Sequence, residues 1–218
     1  MSIIIERFNK IKFNIEKVPS DISRTIIAVS KTFSLDHVMP LINHGHMHYG
    51  ENKVQEAEAK WLQIKNKKKD LKIHMVGKLQ SNKAKKAVKL FDYIHSLDSE
   101  RLAIKISQYQ KELNKKIKLF IQINLGNENQ KSGLSLDKLD NFYNYCVNEL
   151  SLNIIGLMCL PPINSFPEKY FELLKKSSDN LNLNELSMGM SSDFDSAVTN
   201  GSTFLRLGTL IMGERTVI

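Results

Sequence analysis

The strongest constraint on this chain is an alternation that runs its whole length. Short apolar runs are separated by stretches whose apolar residues recur every three or four positions. The runs read as strands at residues 25–30, 46–50, 72–76, 93–97, 118–124, 153–160, 185–188 and 203–207,. Helical patterns lie between them at 34–45, 53–64, 81–90, 99–113, 136–150, 168–181 and 193–200. An opening amphipathic helix carries Ile4, Phe8, Ile11, Ile15 and Val18 on one face,. Pro40 falls inside the second helical pattern, which predicts a kink or a late start,. Because each connection contains a helix, the strands must run parallel with right-handed crossovers. Such strands form either an open doubly wound sheet or a closed barrel. No glycine-rich dinucleotide fingerprint follows the first strand, and the sequence ends soon after the eighth, leaving the opening helix to complete the outer ring,. The expected fold class is α/β: a (β/α)8 TIM barrel with an extra N-terminal helix, residues 1–218 forming one domain.

Composition limits the function classes. The chain is 42% apolar and 25% charged, as globular proteins are,. Charges interrupt every apolar run of the first 18 residues, so no signal-peptide core is expected there, and no stretch is apolar enough to span a membrane,. The two cysteines, Cys146 and Cys159, fall in a helix and a strand and are expected to be free thiols, which suits a reducing cytoplasm,. A net charge of +8 raises the possibility of a basic nucleic-acid-binding module,. Lysine outnumbers arginine 26 to 5, however, and neither Lys67-Lys68-Lys69 nor the set Lys83, Lys85, Lys86 and Lys89 is interleaved with aromatics,. These are read as solvated faces, with no nucleic acid and no membrane among the partners.

In a barrel of this kind the site lies at the C-terminal ends of the strands, with phosphate commonly held after the seventh and eighth. Lys31 follows the first apolar run, in Ala28-Val29-Ser30-Lys31. Partial burial there lowers an amine's pKa, the condition for Schiff-base formation with an aldehyde. After the seventh run comes Ser187-Met188-Gly189-Met190-Ser191-Ser192-Asp193, with Ser192 or Asp193 as N-cap of a helix,. After the eighth comes Arg206-Leu207-Gly208-Thr209, where glycine lets the backbone approach a ligand and threonine adds a hydroxyl. Barrel closure makes the first and eighth strands neighbours, so one small molecule bearing an aldehyde and a phosphate can be held by both. The plainer readings are a solvent-reaching Lys31, a helix-capping serine loop, and an ion pair between Arg206 and a carboxylate such as Glu51. His44, His46 and His48 alternate as metal ligands can, but Gly45 interrupts them and no metal is expected,. Residues 77–83 lack the order of a P-loop, and no GxSxG elbow is present,.

Six segments together resemble the YggS/PROSC family of pyridoxal phosphate homeostasis proteins: Ala28-Val29-Ser30-Lys31; Gly50-Glu51-Asn52; His74-Met75-Val76-Gly77 with Leu79-Gln80-Ser81-Asn82-Lys83; Gly156-Leu157-Met158; Ser187-Met188-Gly189-Met190-Ser191; and Arg206-Leu207-Gly208-Thr209. Cys159-Leu160 and the loop at 127–133 depart from the family pattern. The resemblance implies the fold of the alanine racemase N-terminal domain, with pyridoxal 5′-phosphate (PLP) as cofactor, in a Schiff base on Lys31. It implies that Ser191, Gly208 and Thr209 hold the phosphate, that Asn52 lies near the ring, and that Arg206 faces the pyridine nitrogen. A fixed guanidinium there disfavours protonation of the ring, which makes it a poorer electron sink. Met158 and Met190 match positions lining the site. A racemase needs a second acid–base group, and Tyr49 is the only local candidate. The expected function is therefore intracellular sequestration and delivery of PLP by a monomer without robust turnover, apo PLP-dependent enzymes being candidate recipients. A minor amino-acid racemase is the alternative, and the nucleic-acid module the second alternative.

Overall fold

The computed structural model describes residues 2–126, 128, 132–163 and 165–214. Residues 127 and 129–131, in the loop that departs from the family pattern, lie outside them.

Eight strands close into a parallel barrel in chain order: β1 (Thr25–Val29), β2 (His48–Glu51), β3 (Lys72–Met75), β4 (Tyr93–Leu97), β5 (Lys118–Ile123), β6 (Ile154–Cys159), β7 (Glu185–Ser187) and β8 (Phe204–Leu207). Closure is made by β1 against β8, with Ile27 opposite Arg206 and Ala28 opposite Leu207. The helices are α1 (Ile3–Glu16), α2 (Leu35–Asn43), α3 (Val54–Lys67), α4 (Ala84–Leu90), α5 (Glu100–Glu112), α6 (Leu139–Asn144), α7 (Glu168–Asn180), α8 (Phe194–Thr199) and α9 (Thr209–Met212).

Side chains alternate across each strand, which divides the apolar residues into two layers. Ile27, Val29, Tyr93, Phe120, Met158 and Phe204 form a cluster inside the barrel. The larger layer lies between strands and helices and includes Trp61, Ile73, Leu119, Leu157 and Leu205, all fully buried. Each such side chain contributes roughly 1.5–3 kcal/mol relative to exposure. Helix α1 buries Ile4, Phe8, Ile11 and Ile15, and it packs on α2 and on the short α9, which the periodicity did not reveal. His37 Nε2 meets the Met212 carbonyl oxygen at 2.9 Å and ties α2 to α9.

Three details differ from the sequence reading. β2 begins at His48 rather than residue 46, because Gly45 turns the chain at φ +95°. Helix α2 begins at Leu35, capped by Ser34 Oγ on the His37 N–H, and it runs through Pro40. The segment at 136–150 is not one regular helix: a 3-10 turn (Leu136–Lys138) precedes α6 and a π turn (Tyr145–Glu149) follows it.

Candidate functional site

The end of β1 is clamped from outside the barrel. The Ser30 N–H donates to Gly50 O at 2.9 Å, and Ser30 Oγ donates to Glu51 Oε1 at 2.7 Å. That same oxygen accepts from Lys60 Nζ at 2.8 Å and Trp61 Nε1 at 2.9 Å, while Lys60 also donates to Ser30 O at 2.7 Å. Glu51 is wholly buried, so its charge is held by a cation and two neutral donors,. It pairs with Lys60 and not with Arg206, which corrects the proposed ion pair: Glu51 faces α3, on the opposite side of the β-sheet from the barrel interior. Beyond the clamp, Phe33 N–H bonds back to Ser30 O at 3.2 Å, closing a tight turn across Lys31 and Thr32. Lys31 is half-buried in this turn and Thr32 has φ +70°.

Arg206 lies inside the barrel at 5% exposure. It donates to Ser187 Oγ at 2.7 Å and to Cys159 O at 2.9 Å. Among the described residues no carboxylate lies within ion-pair distance of it. Burial lowers its pKa, opposed by Cys159 and Asp193, and a guanidinium nonetheless stays charged,. One step beyond the paired residues of β8, Gly208 sits against Val29. A methyl group built on it would meet only Val29 Cβ and O, both at 3.8 Å, so the space over this backbone is open. Thr209 is exposed.

In the loop after β7, Gly189 has φ +90°, and a Cβ there would lie 2.5 Å from Ala197 Cβ, so only glycine fits,. Arg206 N–H donates to Gly189 O at 3.0 Å, fastening this loop to β8. Ser191 is half-buried. Asp193 is the N-cap residue of α8, but its carboxylate turns back to accept from the Met190 N–H at 2.6 Å instead of capping the helix. Asn52, after β2, is half-buried against Gly77, where a Cβ would come within 2.5 Å of Asn52 O. Met158 is buried in the inner cluster and Met190 is half-buried. Among the described residues, a cleft of about 350 Å³ is lined by Asn52, and one of about 630 Å³ by Thr32, Phe33 and Lys60 of the turn and clamp.

Tyr49 is not at the mouth. It is fully buried behind β2 against Trp61, its ring 4.8 Å from the indole, and its hydroxyl donates to His46 O at 3.1 Å. Burial pushes its pKa well up. The strand's parity explains this: His48 and Gly50 point inward, so Tyr49 and Glu51 point outward. The three alternating histidines have separate partners. His44 meets Asn9, His46 bonds the His48 carbonyl, and His48 turns into the barrel.

Sequence reasoning missed what His48 meets there. His48 Nδ1 lies 3.0 Å from His74 Nε2, His74 Nδ1 lies 3.0 Å from His95 Nε2, and His95 Nδ1 lies 2.7 Å from Ser187 Oγ, which accepts from Arg206. Tyr93 stacks on His74 at 4.2 Å and Phe120 on His95 at 4.3 Å. The available signal was histidine in each of three successive strand runs, His46 and His48, then His74, then His95.

The family described as "Alanine racemase, N-terminal domain" matches residues 7–216. A protein of Aquifex aeolicus named "Pyridoxal phosphate homeostasis protein" is 34% identical over 96% of this chain and 97% of its own length. One of the same name from Synechocystis is 35% identical over 87% and 91%. The solved structure of PipY from Synechococcus elongatus with PLP bound is 34% identical, covers 96% of this chain and 100% of that one, and superposes with a TM-score of 0.86. An alanine racemase from Clostridium difficile, 13% identical with a TM-score of 0.74, shares the fold over 97% of this chain and 56% of its own.

Proposed function

The chain belongs to the alanine racemase N-terminal domain family, and from that premise we propose that it is a PLP homeostasis protein, binding the cofactor at the barrel mouth to hold and release it. The observation that carries this reading is Arg206, a buried cation with neutral protein partners, on the strand that leads directly into the open backbone of Gly208. Its two bonds leave guanidinium donors for a ligand, and a donor-only group suits the lone pair of an unprotonated pyridine nitrogen. Ser191, Gly208 and Thr209 would supply hydroxyl and backbone donors for the phosphate, and Asn52 would be the polar side chain offered to the ring. Lys31, fixed by the Ser30–Glu51–Lys60 clamp, supplies the amine. When bound, the cofactor would supply an aldehyde able to condense with that amine with loss of water. We read residues 1–218 as one PLP-binding domain, acting as a monomer in the cytoplasm, with apo PLP-dependent enzymes as recipients. Both cysteines are buried free thiols, and among the described residues no helix is long and apolar enough to cross a membrane.

Tyr49, the local candidate for the racemase's second acid–base group, faces away from the mouth, which weakens the racemase alternative. The nucleic-acid alternative is weakened by Lys85 and Lys86, which pair with Glu112 and Glu58. Borohydride treatment of PLP-loaded protein should fix the cofactor to a peptide containing Lys31, and Lys31→Ala should abolish both the visible absorbance and the adduct. An adduct on another lysine would overturn the assignment. Robust α-proton exchange of alanine or serine in deuterated water would replace the carrier reading with an enzyme.

A further inference from the structure

Polarity runs the length of the barrel interior in one direction. Arg206 has no acceptor atom, so Ser187 Oγ must accept from it,. The Ser187 hydroxyl is wholly buried and has one proton, and His95 Nδ1 at 2.7 Å is its remaining neighbour. If His95 donated instead, that proton would be stranded at a cost of roughly 1–3 kcal/mol. His95 therefore carries its proton on Nε2 and gives it to His74 Nδ1. His74 in turn is protonated on Nε2 and donates to His48 Nδ1. The last proton sits on His48 Nε2, and His48 lines the cleft of about 640 Å³ at the base of the barrel.

We propose that Ser187, His95, His74 and His48 form a single polarised hydrogen-bond column that positions Arg206 for its ligand and fixes all three rings in the neutral Nε2–H form. The positioning role rests on the PLP reading above, whereas the tautomer pattern does not. The groups around the column oppose charging it. His48 faces Lys72 and Lys118 with Asp92 as the one carboxylate, His74 faces His46 and Lys65 besides its column neighbours, and His95 faces Arg206. Beyond Arg206 lie Cys159 and Asp193. Burial lowers the pKa of His74 and His95 well below the ordinary value and that of His48 below it. The ring stacks on Tyr93 and Phe120 leave the imidazoles little room to flip,. A cation held this way keeps its orientation across neutral pH without a carboxylate, whose charge would compete with an electron-rich ligand.

Nitrogen-15 spectra of the full-length protein, recorded without cofactor, should show His48, His74 and His95 neutral and protonated on Nε2 at pH 7 to 8. Any of the three in the Nδ1–H or imidazolium form at pH 7 overturns the column. Ser187→Ala removes the hydroxyl that sets the direction, so His48, three hydrogen bonds away, should show mixed tautomers. A local packing defect would not reach that ring. In PLP-loaded protein Ser187→Ala should release the cofactor about fivefold faster, the equivalent of one hydrogen bond, and Ser187→Thr should restore the slower rate. Unchanged release in Ser187→Ala overturns the positioning role. Failure of the wild type to load PLP would overturn the functional reading while the spectra still decide the column.

Discussion

The two ends of the barrel treat charge differently. At the base, Lys65 reaches Asp92 at 2.6 Å and Leu90 O at 2.7 Å, Lys115 donates to the carbonyls of Lys89 and Phe91, and Asp92 also accepts from the Ile73 N–H at 2.8 Å. These cations have fixed acceptors and serve the fold. Toward the mouth, Arg206 is buried more deeply than any of them, yet among the described residues it is held by a hydroxyl and a carbonyl. A buried charge without its counter-charge costs stability, and in the reading proposed above a ligand at the strand ends offsets that cost. The neutral histidines stand between the two regimes, and protonating them breaks the contrast at its centre. That gives the largest expected effect. Burial lowers the His46 pKa to about 4 and those of His74 and His95 well below 6.5. Below pH 6.5 the unfolded chain binds protons that the folded chain does not, so stability should fall as pH drops toward 4. His46, which packs on Phe8 outside the column, alone accounts for roughly 3 kcal/mol,, with His74 and His95 adding in the same direction. Urea midpoints measured at pH 7.5, 6.5, 5.5 and 4.5 test this, and a flat profile would refute it.

Single substitutions at the two ends should then separate structure from binding. Asp92→Ala strands Lys65 and the Ile73 N–H, and it should cost about 2–3 kcal/mol in urea unfolding while the molecules that remain folded bind PLP as before. Arg206→Met should do the converse. Replacing a buried ion by an apolar chain is often neutral or stabilising, so stability should move by less than about 1 kcal/mol, while PLP affinity falls about tenfold, the worth of a lost charged contact. If Arg206→Met unfolds the protein as Asp92→Ala does, the mouth cation is structural too, and the contrast between the ends disappears.

The barrel was legible because a strand covered on both faces is apolar throughout, and eight such runs alternate with helical spacing,. Lys31, Arg206 and Gly208 could be singled out as candidates because the fold class fixes which end of each strand carries the site. What the chain hid were partnerships that depend on side-chain direction. Starting β2 two residues later, at His48, leaves the parity unchanged, yet only the paired register shows that Tyr49 and Glu51 look outward, toward Trp61 and Lys60. The histidine column needs four strands in register at once, and no local pattern encodes that. α9 escaped because a helix of four residues has too little periodicity to read.

Backbone strain sharpens the contrast between the ends with the smallest effect. Four described non-glycine residues have positive φ. Asn114, Ser151 and Asn182, at φ 45–53°, each lie where a helical segment ends and the chain turns at the base toward the next strand. Helices commonly finish with a left-handed residue at such places, and asparagine tolerates it well. The fourth, Thr32 at φ +70°, is β-branched, stands at the mouth, and directly follows Lys31. That conformation is a true outlier for threonine, and it persists because the Ser30–Phe33 turn and the Glu51 clamp fix both sides of it. Relief of a left-handed β-branched residue is worth roughly 1–2 kcal/mol, and the freedom glycine gains in the unfolded chain returns roughly half of that. Thr32→Gly should therefore stabilise the protein by about 0.5–1 kcal/mol, while Asn182→Gly changes it by no more than a few tenths. The same substitution loosens the peptide that carries Lys31, so PLP should be captured more slowly even as the midpoint of unfolding rises. A Thr32→Gly protein that is less stable than the wild type would show that the turn is unstrained, and that the mouth and the base follow the same backbone rules.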